Sequence, residues 1–185
     1  MTTRVVLGVL AAAMLAGCVV GGGEKRYRIL SSAMEPTLHC AQPASGCEAD
    51  EQDIVVTEEV DAKDVRRGDI VVFEIPPAAR VRCGSGGTFV KRVIGLPGER
   101  VELRYQGDSE YVYIDGKKLD EPYIEPNRRY RSTMAARKLP DGQYFLLGDN
   151  RSQSCDSREW GTVPAFNIHH RVIAIERSSG RIELR

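Results

Sequence analysis

The chain has no surplus of charge of either sign: Lys plus Arg and Asp plus Glu are both 26. With no net positive field there is no electrostatic case for a nucleic-acid partner. Histidine is scarce as well. Of the three, His39 stands alone, and His169 and His170 are adjacent, so on a strand they would point to opposite faces. This supplies neither the spaced His pair of a zinc site nor an evident base for a Ser-His-Asp triad, and the five Cys lack a close C-x-x-C-like spacing. No metal and no cofactor are therefore expected. Aromatic residues are few, with Trp160 the only Trp and four Phe. Repeats and low-complexity linkers are absent from residues 24–185.

The longest apolar run lies at the start. After Arg4, residues 5–16 form an unbroken apolar stretch of twelve, whose last two residues open the tetrad Leu15-Ala16-Gly17-Cys18. Twelve residues suit a signal peptide, whereas a bilayer span needs about 20. The tetrad resembles a lipobox, in which Cys18 is diacylated and becomes the mature N-terminus. Extension through residue 23 gives nineteen residues, which leaves an uncleaved membrane anchor open. Lys25, Arg26 and Arg28 beyond the run, against Arg4 before it, reverse the positive-inside bias and favour the lipid anchor. Residues 1–23 thus read as a signal, lipoprotein or membrane-anchor segment, and residues 24–185 as one exported domain large enough for a core.

In an exported domain the remaining Cys40, Cys47, Cys83 and Cys155 allow three pairings. Cys40 and Cys47 bracket the turn-rich Ala-Gln-Pro-Ala-Ser-Gly and are expected to pair, leaving Cys83 and Cys155 to pair by elimination. Eighteen Gly and nine Pro suit short strands better than long helices. Residues 53–60, 69–74, 88–94, 100–105, 110–114, 143–147 and 171–176 are β-rich runs bounded by turn residues. Ile114-Asp115-Gly116-Lys117 is a hairpin-turn signal. Residues 59–65 and 134–138 are the best helix candidates. The fold expected is all-β, with residues 107–139 as a smaller excursion from the main sheets.

Four segments carry the chemistry: Ser31-Ser32-Ala33-Met34-Glu35-Pro36-Thr37-Leu38, Arg67-Gly68-Asp69-Ile70-Val71-Val72-Phe73, Lys91-Arg92-Val93-Ile94-Gly95-Leu96-Pro97-Gly98, and Gly148-Asp149-Asn150-Arg151-Ser152-Gln153-Ser154-Cys155-Asp156-Ser157-Arg158-Glu159-Trp160-Gly161. On a strand Lys91 shares a face with Phe89 and Val93, which would desolvate its ammonium; Arg92 shares the other face with Val90 and Ile94. Only the lysine can give up its proton, so only Lys91 suits a base.

In kind and order these segments resemble the boxes of bacterial type I signal peptidases, which use a Ser–Lys dyad, over roughly residues 27–176. The resemblance implies coiled antiparallel sheets with a small inserted β region. It implies a serine endopeptidase that removes signal peptides after small residues, anchored on the extracytoplasmic face of a bacterial membrane, with preprotein signal peptides as partners. Lys91 falls on the general base and Ser31 on a hydroxyl that stabilises the oxyanion. Asp149, Asp156, Ser157 and Arg158 fall on supporting residues, read here as a bidentate Asp–Arg arrangement that holds the Lys91 strand. The nucleophile position is Ala33. Ser32, one residue away, is the displaced candidate, although in an extended chain a slip of one residue turns a side chain to the opposite face. The alternative is a catalytically inactive lipoprotein that binds exported or membrane peptides.

Overall fold

Strand β3 (Ile70–Glu74) shows how the main sheet is built. Val71 and Phe73 enter one core and Ile70 and Val72 another, the two-residue alternation of a strand covered on both faces. Each such fully buried side chain stabilises the fold by roughly 1.5–3 kcal/mol. The computed structural model describes residues 23–83 and 87–184. Cys18, and all but the last residue of the expected 1–23 anchor segment, lie outside the described residues. Among the described residues no helix is long and apolar enough to cross a membrane.

The other elements are β1 (Lys25–Arg28), β2 (Ile54–Glu59), α1 (Pro77–Cys83), β4 (Thr88–Gly95), β5 (Arg100–Gln106), β6 (Ser109–Ile114), β7 (Lys117–Lys118), β8 (Met134–Lys138), β9 (Gln143–Leu147), α2 (Ser157–Trp160), β10 (Val163–Pro164), β11 (Ile168–Arg177) and β12 (Gly180–Glu183). The large sheet runs β1-β2-β11-β3-β4-β9-β10, with β12 on β11, and the small sheet runs β7-β6-β5-β8. All pairings between these strands are antiparallel. The domain is all-β, as expected.

Three sequence expectations differ from the structure. Residues 134–138 are strand β8, because pairing with the edge of β5 through Met134, Arg137 and Lys138 outweighs the helix-forming tendency of Met-Ala-Ala-Arg-Lys. Of residues 59–65 only Ala62–Asp64 turns, as one 3-10 turn capped by the Asp61 carboxylate accepting from the Lys63 N–H. The excursion also begins earlier than residue 107, since β5 already belongs to the small sheet. The crossing between the sheets requires Gly95. A Cβ there would lie 2.6 Å from Val101 Cγ2 and 2.7 Å from Leu139 Cδ1. These two residues belong to the third core, which joins the small sheet to β4 and β9 through Ile94, Phe145 and Leu147.

Strand β4 pairs with β3 over residues 88–92 but meets β9 only from Arg92 onward. Among the described residues, residues 88–91 therefore have a strand on one side only.

Candidate active site

Lys91 lies in that half-paired stretch, opposite Val71 of β3, and is 3% exposed. Its Nζ is 5.5 Å from the centroid of the Phe89 ring. Burial lowers its pKa from 10.5 to about 8, against the opposing pull of the Asp156 and Asp149 carboxylates; the Arg158 cation adds a smaller downward push. Near neutral pH a usable fraction of the amine is thus unprotonated. A cavity of about 440 Å³ opens beside it, lined also by Ser31, Ala33, Gln153, Cys83 and Cys155.

Asp149 and Arg92 together join all four sequence segments. Asp149 is fully buried and accepts from Arg92 Nε at 2.9 Å and Nη2 at 2.6 Å, a bidentate pair. Thr37 Oγ1 donates to it at 2.5 Å. Arg92 also donates to the Gly68 carbonyl at 2.8 Å, and its guanidinium lies 4.0 Å from the centroid of the Tyr123 ring. The two cations on alternate faces of β4 divide the work. Lys91 faces the cavity, and Arg92 ties the strand to the loop after β9.

That loop also grips the turn around Ala33. The Asn150 N–H donates to the Ala33 carbonyl at 3.2 Å, and Asn150 Nδ2 to the Ser32 carbonyl at 3.0 Å. Gly148 permits the approach, because a Cβ there would collide with the Ala33 carbonyl and with Ser154. Asp156 caps α2 by accepting from the Arg158 N–H, accepts from the Gly148 N–H at 3.1 Å, and pairs with Arg158 Nε at 2.8 Å. Ser157 Oγ accepts from the Leu146 N–H at 2.9 Å. Arg158 continues to Glu110 at 3.0 Å, while fully buried Arg151 pairs with Glu121 and donates to the Gly148 carbonyl at 3.0 Å. Burial pushes the Glu110 carboxyl upward.

Residues Ser32–Met34 form a 3-10 turn rather than an extended segment. One residue of slip therefore rotates a side chain by about 120°, not 180°. Ser31, extended and exposed, lines the cavity with Lys91, and so do Ala33 and Met34 of the turn. Between them the Ser32 hydroxyl turns to Gly46, reaching within 2.7 Å of where a Cβ on that glycine would sit. Gly46 lies in the loop closed by Cys40 and Cys47, which are disulfide-bonded with Cα atoms 5.1 Å apart. Cys83 and Cys155 form a second bridge with Cα atoms 6.0 Å apart.

A family model for signal peptidase, peptidase S26, matches residues 2–175. The chain belongs to this family. It is 41% identical over 143 residues to a probable signal peptidase I-2 of Synechocystis sp., covering 76% of this chain and 57% of that one. It is 36% identical to a signal peptidase I of Bacillus amyloliquefaciens, covering 71% of this chain and 64% of that one. The chain thus spans between about half and two thirds of the length of these relatives. A solved signal peptidase I from Enterococcus faecalis V583 aligns with 57% of this chain and 93% of its own at 35% identity, with a TM-score of 0.44.

Several residues of this signal peptidase family site were not singled out from the sequence. Arg92 is the bidentate partner of Asp149, a contact over 57 positions, whereas strand periodicity gives only its face. Ser154 places a buried Oγ, without a partner among the described residues, beside the Ala33 turn. It stands in the same polar run as Asp156 and Ser157, which was the available signal. Glu110 and Glu121 carried none, since each is a lone acid in an ordinary strand or turn.

Proposed function

We propose that this member of the signal peptidase family is a serine endopeptidase that removes signal peptides from exported preproteins, tethered to the outer face of a bacterial membrane by its N-terminal segment. The observation that carries the reading is the buried Lys91 amine, with a pKa of about 8, in a cavity beside the Ser31–Ala33 region. A signal peptide would lie extended along residues 88–91 of β4. Main-chain hydrogen bonds would give affinity there, and side-chain pockets would favour small residues before the cut. The neutral Lys91 amine takes the proton of the attacking hydroxyl, Ser31 helps hold the oxyanion, and the lysine returns the proton to the leaving amine. Ser32 supplies the hydroxyl in this reading, which requires the 3-10 turn to rewind and carry Oγ from Gly46 into the cavity.

A specific observation favours a second reading, in which the chain binds signal peptides without cutting them. The residues of that turn that line the cavity are Ala33 and Met34, neither of which has a hydroxyl, while Ser32 is not among the lining residues. Cleavage of an Ala-x-Ala preprotein by wild type, Ser32→Ala and Ala33→Ser separates the two. Cutting by wild type but not by Ser32→Ala establishes the displaced nucleophile. An inert wild type, with activity gained by Ala33→Ser, establishes the binding protein. If none of the three cuts or retains the preprotein, both readings fall.

A further inference from the structure

The two disulfides differ in place and in access. Cys40 and Cys47 are buried, at 1% and 8% exposure, and close a loop seven positions apart in sequence. Cys83 and Cys155 are only half-buried, span 72 positions and line the cavity with Lys91 and Ala33. Cys155 separates Ser154 from Asp156 in the loop that grips the Ala33 turn, and Cys83 is the last residue of α1.

Apart from the bridge, helix α1 is held by a single buried side chain, Ala79, in the core that holds Trp160. It has seven residues, well below the length at which an isolated helix is stable in water. Ala79 is its only buried side chain, and Val81 is 85% exposed. Its Arg80 reaches only exposed Glu74, at 3.8 Å, a contact of small value in water. The bridge is the covalent tie between α1 and the loop carrying Asp149 and Asp156, beside the packing of Ala79 into the core that holds Trp160, and both its cysteines line the cavity.

We propose that the Cys83–Cys155 bridge sets the width of the cavity beside Lys91, so that the side-chain size accepted there follows the oxidation state of this pair. The inference rests on the reading of the cavity as a signal-peptide site. Opening the bridge needs a thiol or phosphine reductant. Two electrons and two protons convert the S–S bond to two thiols; with a phosphine the electrons come from phosphorus, and one water supplies both protons and the oxygen of the phosphine oxide. With α1 released, the wall formed by Cys83 moves away from Cys155, and a larger side chain fits. The buried Cys40–Cys47 bridge is expected to survive mild reduction that opens the accessible one.

The test uses the full chain in detergent as the oxidised protein, as protein briefly treated with tris(2-carboxyethyl)phosphine, and as the double variant Cys83→Ser/Cys155→Ser. Mass spectrometry verifies that Cys40 and Cys47 stay joined. Fluorescent signal peptides ending in Ala, Val or Leu before the cut are titrated by anisotropy, and hydrogen exchange is followed at Pro77–Cys83. The oxidised chain should prefer the Ala peptide over the Leu peptide by about tenfold or more, and the open forms should lose most of that preference. Exchange in α1 should accelerate by about tenfold on opening. An unchanged Ala-to-Leu ratio overturns the inference, and so does unchanged exchange in α1. If no form binds any peptide while α1 exchange still accelerates, the signal-peptide reading fails and the positioning role of the bridge stands.

Discussion

Arg92 of β4 and Asp149 of the loop after β9 face each other through two hydrogen bonds, at 2.9 and 2.6 Å. The same carboxylate receives Thr37, so one side chain fixes the Lys91 strand and the Ala33 turn relative to each other. Asp149→Ala leaves the Arg92 cation largely buried without its partner, at a cost of about 3–5 kcal/mol. The measurement is urea denaturation at pH 7. A loss below about 1 kcal/mol would mean that the pair behaves like a surface ion pair.

Gly148→Ala places a methyl group against the Ala33 carbonyl and Ser154. Backbone on one side cannot yield as a flexible side chain would. The expected destabilisation is about 1–3 kcal/mol, read as a lower urea midpoint at unchanged slope.

Lys91 should make stability depend on pH in the alkaline range. Its amine titrates near 8 in the fold and at an ordinary 10.5 when unfolded, so the unfolded chain binds more protons between these values. Stability therefore rises with pH from about 8 to 10.5, and the buried cation costs about 3 kcal/mol below that window. Lys91→Met keeps the shape and removes the charge. It should abolish the slope and be more stable than wild type at pH 7, while losing any cleavage. A Met variant that keeps the wild-type slope would assign the titration to another group.

His170 should act on the acid side. Both ring nitrogens are buried without a partner among the described residues, and the ring packs edge-on against Tyr27 at 5.9 Å. Burial lowers its pKa, helped by the Lys25 cation and opposed by Glu59; the His169 ring adds a further small downward push. The unfolded chain therefore takes up the proton first as pH falls below about 6.5, and stability falls with it. His170→Phe keeps the aromatic packing and should flatten this limb of the curve, measured by thermal unfolding from pH 7.5 to 5.

Strands β2, β3, β4, β9 and the later part of β11 were legible because turn residues bound each β-rich run, whereas the short edge strands β1, β10 and β12 gave no such run. The burial of Lys91 beside Phe89 followed from the same periodicity, but that periodicity offered Arg92 on the other face equally, and only the chemistry of lysine and the family resemblance distinguished the two. β8 was not legible, because Met-Ala-Ala-Arg-Lys has the local preferences of a helix and only the edge of β5 makes it a strand. The direction of the Ser32 hydroxyl was also beyond reach. It depends on a 3-10 turn and on Gly46, fourteen positions away, having no side chain. The role of Arg92 depends on a partner that the fold alone brings near.

The position of β11 in the large sheet orders events in time. β11 lies between β2 and β3, so it is what joins the half-sheet following the Ala33 turn to the half-sheet carrying Lys91. A chain emerging N-terminus first has both halves exposed long before residues Ile168–Arg177 arrive to join them. Contacts over such separations form late, because loop closure opposes them until the last strand inserts. The cavity is therefore completed only when almost the whole chain is available, and a chain cut short before β11 has the residues of the site without the site.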